Sequence, residues 1–234
     1  MALPNYANLG FTTIRVQLDG AVAVVTLART KERNTFIGPL AHDIVKAYDI
    51  LDRDDRVRVV VLTAEPNAPA FCAGVSGADP HLRATNADPF VPCKADLSSG
   101  WERILDDEAE KEGEHATVTP DSPLLDGLYY SILPNKEDVF PAALALAKDL
   151  AENTSGTAIA VTKALVWRGY DNIEEQHIVD SRAIRILARS PDAEEGALAF
   201  KQRRAPKFGD KLSRLAPWMP WWREINVKHR KSKL

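Results

Sequence analysis

The chain has 234 residues, 45% of them hydrophobic and 27% charged, with a formal net charge of -3. That balance excludes a chain disordered throughout, a collagen-like chain (Gly 12, Pro 15) and a wholesale nucleic-acid binder, and the longest apolar runs are strand-sized, too short to span a membrane. The charge is uneven: residues 201–234 hold eleven Lys or Arg against Asp210 and Glu224, a local +9 that leaves -12 on residues 1–200.

Residues 1–11 lack a charged stretch followed by an apolar core, so no secretory signal is expected. Residues 13–18 alternate in polarity and residues 22–27 are apolar throughout except Thr26. Between them Asp19-Gly20 is a two-residue hairpin signal. After a polar connection, Leu40, Ile44, Ala47, Tyr48 and Leu51 fall on one helical face. Asn34 or Thr35 is positioned to cap that helix, with Pro39 in its first turn. Residues 57–63 then read as a buried strand, and strand, strand, helix, strand in so short a span predicts a layered α/β protein.

Residues 65–80, rich in Ala, Gly and Pro, read as a loop leading to a short turn of helix. Residues 81–123 have no sustained period, and residues 101–114 carry seven acids against two bases. Either a solvated face or an acidic helix fits that run. Further on, Phe140, Leu144, Ala147 and Leu150 share a face of a helix over 139–153. Helices over 157–170 and 173–187 follow, and Ser190-Pro191-Asp192 opens another over 193–203, with Glu194 and Glu195 where the helix dipole favours acids. Beyond Pro206 the pattern stops, since Pro217 and Pro220 among three Trp oppose a long helix.

Cys72 and Cys93 make neither a disulfide framework nor a zinc cluster, which fits a reducing interior. His42, His81, His115, His177 and His229 show no metal-ligand spacing, so no metal site is expected. Phosphate-loop and dinucleotide glycine fingerprints are absent. The segment Ala70-Phe71-Cys72-Ala73-Gly74-Val75 has small residues that let a ligand approach the backbone closely. A helix starting just after Gly74 would offer free N–H groups to an anion; an ordinary strand-to-helix turn packed by Phe71 fits the same residues.

Val24-Val25-Thr26-Leu27, Asn34 before a helix, the run from Val57 to Thr63 and above all Ala70-Phe71-Cys72-Ala73-Gly74 resemble the N-terminal half of the enoyl-CoA hydratase/isomerase (crotonase) family. Gly127-Leu128-Tyr129-Tyr130-Ser131-Ile132-Leu133-Pro134 and the stretch from Glu195 to Phe208 resemble its C-terminal helical part. The likeness to fungal-type members runs into the Trp-rich tail. The resemblance implies a crotonase-like ββα spiral with a C-terminal helical region. Residues 1–134 would be the α/β core, 135–208 the helical region and 209–234 a basic tail.

The resemblance also implies a chemistry. Hydration of a 2-enoyl-CoA and 3,2-double-bond isomerisation both pass through an enolate held by two N–H donors, each worth about 3 kcal/mol in comparable oxyanion holes. The backbone N–H of Val75 matches one donor, although Ser76 stands where family loops usually carry Asp. Lys31, Arg33, Ala73, Gly74, Phe200 and Arg203 match positions that reach coenzyme A; solvated charge for Lys31, Arg33 and Arg203 and helix packing for Phe200 fit the same residues. The substrate would be an acyl-CoA thioester, with no further cofactor, and the assembly a trimer-based homo-oligomer.

The acid/base Glu is not found. Between Gly74 and Gly127 no apolar strand leads into a Gly-rich helix start. Glu108, Glu110, Glu112 and Glu114 lie in a solvated run without the apolar surroundings that raise a carboxylate's pKa. The simplest account is a missing central segment near residues 115–117, which leaves an inactive acyl-CoA-binding paralogue or hetero-oligomer subunit as the alternative to an enzyme. Finally, Ser232-Lys233-Leu234 is a peroxisomal address read by an import receptor, in keeping with acyl-CoA oxidation; the basic lead-in leaves a membrane or nucleic-acid role for the tail open.

Overall fold

The structure is a computed structural model describing residues 4–75, 122–167 and 169–214. Strands β1 (Ile14–Asp19) and β2 (Val22–Leu27) pair antiparallel from Ile14↔Leu27 to Asp19↔Val22. Because Asp19 still pairs, the two turn residues are Gly20 and Ala21, one position later than the sequence signal suggested. Gly20 has φ 62, the positive value that a turn matched to strand twist needs at its first central position.

Helix α1 (Gly38–Leu51) carries the chain to β3 (Val59–Ala64), which lies parallel to β2 and completes a sheet of order β1-β2-β3. Parallel neighbours require such a crossover. One sheet face, with Ile14, Val16, Ala23, Val25 and Leu27, packs on Leu40, Ala47 and Leu51 of α1. The other, with Val22 and Val24, packs on Ala147 and Ala151 of α2 (Lys136–Asn153). The central strand is therefore covered on both faces, which is why its sequence is apolar nearly throughout, whereas β1 alternates between buried and exposed positions.

Several expectations need correction. β3 is half-buried instead of buried, because among the described residues it pairs only through β2 and its other edge is uncovered. On α1 the buried line runs through Leu40, Asp43, Ala47 and Leu51, while Tyr48 reaches the surface. Asp43 is buried because its Oδ2 accepts the backbone N–H groups of Thr12 (2.9 Å) and Thr13 (3.0 Å) and the Thr13 hydroxyl (2.8 Å). Burial pushes its pKa up, and these hydrogen bonds outweigh burial and hold it below the usual range. On α2 the sheet meets Leu144, Ala147 and Ala151; Phe140 and Leu150 face away, since small Ala side chains let the helix approach.

The start of the chain is fastened by Tyr6, whose hydroxyl donates to Asp54 Oδ2 (2.5 Å), while Arg56 forks onto the same carboxylate (2.6 Å). The Arg56 hydrogen bonds, stronger than the opposing burial, hold Asp54 at about 2. Burial and the Asp54 bond push Tyr6 up to about 12.

Three further helices follow, α3 (Gly156–Trp167), α4 (Ile173–Leu187) and α5 (Pro191–Gln202). Asn172 caps α4 and Ser190 caps α5, the latter as Ser-Pro-Asp foretold. Asp192 is buried at the start of α5: its Oδ2 accepts from the Ser155 hydroxyl (2.6 Å), and its Oδ1 from the N–H groups of Gly209 (2.7 Å) and Asp210 (3.0 Å). Glu195 holds Arg204 through paired bonds of 2.6 and 2.8 Å and accepts the Lys207 N–H. Gly196 lies against the Phe208 ring, where a Cβ would stand 3.5 Å from it. The stretch from Glu195 to Phe208 is thus a folded-back clamp. No helix among the described residues is long and apolar enough to cross a membrane.

Candidate functional site

Two chain segments far apart in sequence are laced together beyond the end of the sheet. After β2 the chain turns through Arg29–Phe36, closed by Asn34 N–H to the Arg29 carbonyl (2.9 Å) and by the Arg29 guanidinium to the Thr35 carbonyl (2.6 Å). Arg33 and Asn34 both take left-handed backbone, with φ 51 and 52. After β3 comes the small-residue segment ending at Val75. Ala73 N–H donates to the Arg33 carbonyl (3.0 Å), Phe36 N–H to the Gly74 carbonyl (2.8 Å), and Phe36 and Val75 form a parallel bridge.

This lacing aims one peptide. In a trans peptide the C=O and the following N–H point in opposite directions. The Gly74 carbonyl is drawn toward Phe36, so the Val75 N–H points to the opposite side. It donates to no described residue, and Val75 is 69% exposed. Gly74 makes the geometry possible: its φ of 101 is strained for any residue with a Cβ. The result is an outward N–H on a backbone pinned by two hydrogen bonds, at Ala73 and Gly74, the kind of preorganised donor that stabilises a developing negative charge.

Lys31 and Arg33 lie on this loop, both exposed, and neither forms an ion pair with a described residue. Of the two, Arg33 is tied through its carbonyl to the segment that carries Ala73, Gly74 and Val75. Ala73 has its N–H engaged by Arg33, while its carbonyl accepts from no described residue. Phe71 is more than half exposed, so it does not pack the turn within this chain. Cys72 is partly exposed, its Sγ 3.7 Å from the Gly74 carbonyl.

Phe200 and Arg203 lie elsewhere. Phe200 is 87% exposed on α5, which excludes packing within the described chain, and Arg203 ends that helix in left-handed backbone, φ 54. No hydrogen bond or ion pair among the described residues joins them to the Arg29–Val75 unit. Glu108, Glu110, Glu112, Glu114, Ser76 and the Ser232-Lys233-Leu234 address lie outside the described residues.

Asn34 was not foreseen as a site residue. It does not cap α1, whose N-cap position is Ile37 without a side-chain bond, and neither does Thr35, whose hydroxyl turns back to the Glu32 carbonyl. Its amide instead accepts from Arg29 N–H (2.9 Å) and donates to the Ala70 carbonyl (3.2 Å). The partner at Ala70 is remote in sequence, so no local pattern carries this signal.

Comparison with known proteins bears on this arrangement. Residues 17–107 match the family model described as enoyl-CoA hydratase/isomerase. A curated relative, enoyl-CoA hydratase AFT3-1 of Alternaria alternata, is 26% identical over 274 aligned positions covering 89% of this chain and 90% of that protein. The crystal structure of a probable enoyl-CoA hydratase/isomerase from Mycobacterium abscessus superposes with a TM-score of 0.64 at 25% identity, covering 85% of this chain and 99% of that one. An enoyl-CoA hydratase from Bacillus anthracis gives 0.65 at 16% identity over 84% of this chain and 99% of that one, a likeness of fold alone. Together with the mixed sheet and helices, these findings show a crotonase-like α/β fold and support the enoyl-CoA hydratase/isomerase family for this chain.

Proposed function

We propose that this chain binds acyl-CoA thioesters at the Arg29–Val75 unit and acts as an enoyl-CoA hydratase/isomerase-like protein, hydrating a 2-enoyl-CoA or shifting a double bond from the 3 to the 2 position. The observation that carries this reading is the pinned Gly74–Val75 peptide, with its N–H turned outward from a rigid loop. As a nucleophile adds to C3 of a 2-enoyl thioester, or a proton is removed from C2 of a 3-enoyl thioester, negative charge moves onto the thioester oxygen, and it is discharged when a proton is delivered to C2 or C4; a fixed donor there is worth about 3 kcal/mol of transition-state stabilisation. Lys31 and Arg33, exposed on the same loop, supply positive charge for the coenzyme phosphates. The Ala73 carbonyl and Gly74 supply backbone for the adenine end, and Phe200 and Arg203 serve across a subunit contact. Incubation of the purified full chain with crotonyl-CoA tests catalysis: loss of the enoyl absorbance above background supports it, and its absence rules out hydration by this chain.

A second reading has its own support. The alignment to the Alternaria relative runs over 274 positions, more than the 234 residues of this chain, so that relative carries several tens of residues that face a gap here. Among the described residues, the carboxylates whose ionisation is displaced, Asp43, Asp54 and Glu195, are all held low and bound into structural contacts, the reverse of what a proton-shuttling acid requires. On this reading the chain is a non-catalytic acyl-CoA-binding subunit. Tight binding of butyryl-CoA together with no turnover of crotonyl-CoA identifies it.

Setting and assembly belong to the same proposal. Ser232-Lys233-Leu234 supports import into peroxisomes, where fatty-acid oxidation supplies enoyl-CoA. A fluorescent fusion that enters peroxisomes with or without these three residues would dismiss the address. Exposed Trp167, Ile173 and Phe200 on the C-terminal helices support a trimer-based homo-oligomer, which sedimentation measures directly.

A further inference from the structure

Asn34 is fully buried in a loop whose other residues are exposed or half-buried, and both ends of its amide are used. Left-handed backbone is disfavoured for residues with a Cβ, and Asn tolerates it better than most. Arg33 and Asn34 adopt it in succession, a conformation that persists only where the surroundings over-determine it and that gathers at functional segments. Here the over-determination is visible. The Asn34 Oδ1 closes its own turn on Arg29 N–H, and its Nδ2 reaches across to the Ala70 carbonyl, four residues before Gly74. The same turn presents the Arg33 carbonyl to Ala73 N–H and the Phe36 N–H to the Gly74 carbonyl.

We infer that Asn34 is the positioning residue of the Val75 N–H: it holds the left-handed turn that pins the Ala73 and Gly74 peptides, and so sets the direction in which the donor points. This rests on the acyl-CoA reading above. No other side-chain chemistry of similar size does both tasks. Asp keeps the acceptor for Arg29 but sets an oxygen against the Ala70 carbonyl, and Leu offers neither bond. Lys31, by contrast, lies on the same loop with an exposed side chain and takes no part in this lacing.

The test compares Asn34→Asp and Asn34→Ala in the full chain with Val25→Ala, a core variant that lowers stability without touching the loop. Butyryl-CoA labelled at the thioester carbonyl serves as probe, with infrared spectroscopy reading the carbonyl shift on binding and amide exchange reading the Phe36 and Ala73 N–H groups in the free protein. Both Asn34 variants are expected to exchange these amides about tenfold faster or more and to lose the carbonyl shift, while Val25→Ala keeps it. A wild-type carbonyl shift in either Asn34 variant overturns the inference, as does equal loss in Val25→Ala. If the wild-type chain itself shows no carbonyl shift, the acyl-CoA reading fails, and exchange alone then decides: unchanged Phe36 and Ala73 amides overturn the role of Asn34 too.

Discussion

β2 and α3 are comparably apolar in sequence, yet one is enclosed and the other largely uncovered. Val22, Ala23, Val24, Val25 and Leu27 are all buried, because β2 is flanked by two strands and roofed by α1 and α2. In α3 only Thr157 and Val161 are buried, while Ile159, Val166 and Trp167 stand open, Trp167 at 78%. Ile173 on α4, at 86%, and Phe200 on α5 are likewise exposed. Apolar character alone therefore does not bury a segment; a partner must exist on each side. An all-round apolar helix usually lies inside a structure, so the uncovered part of α3 is where the proposed homo-oligomer would be completed.

The contrast can be broken by mutation. Leu40, 1% exposed beneath the sheet, should lose most: Leu40→Ala is expected to cost about 3 kcal/mol in denaturant unfolding. Within the C-terminal half the comparable loss should come from a polar hub, not an apolar one. Asp192→Ala removes the acceptor of Ser155, Gly209 and Asp210 and should cost about 2 kcal/mol. A negligible loss there would mean that the segment after α5 is not held by this carboxylate.

Acid should act next. Asp54 sits at about 2 in the folded chain, below its ordinary unfolded value. Its stabilisation is therefore full above about pH 4 and is lost as pH falls toward 2, on the order of 2 kcal/mol. Asp54→Asn should flatten that part of the unfolding curve. Glu195 is also held at about 2, first by the Arg204 hydrogen bonds, and loses its contribution over the same window. With a side chain 20% exposed against 1% for Asp54, it should respond to salt more than Asp54 does. Equal salt sensitivity of the two would erase the distinction between the halves.

Gly20→Ala puts a Cβ into left-handed backbone with no neighbour within 4 Å, so only local strain is expected, about 1 kcal/mol in the same unfolding assay. Smallest of all should be Trp167→Ala on the stability of a separated monomer, within about 0.5 kcal/mol. Sedimentation of that variant should nonetheless show weakened self-association if α3 is the covered face. A stability loss as large as that of Leu40→Ala would show that Trp167 is packed within one chain.

Much of the architecture is legible locally. Alternation in β1, near-continuous apolarity in β2, the turn glycine and the Ser-Pro-Asp opening of α5 each reflect geometry spanning a few residues. Faces were harder to read than elements. Tyr48, Phe140 and Leu150 fit helical spacing, yet Asp43 and Ala151 took the buried positions. Periodicity records which residues share a face, whereas the neighbouring layer decides which rows of that face it reaches. Loop chemistry was harder still: Asn34 beside a helix start looks like a cap until its amide is found on Ala70.

The sequence by itself determined the order of strands and helices, the hairpin, the small-residue segment from Ala70 to Gly74 and the uneven charge, because these depend on propensity, spacing and composition. Only the tertiary structure decided that Arg33, Asn34 and Phe36 grip Ala70, Ala73 and Gly74, and hence which way the Val75 N–H points. A hydrogen bond between residues 36 positions apart leaves no periodic trace in the chain; it exists because β2 and β3 lie side by side and bring both loops to the same end of the sheet.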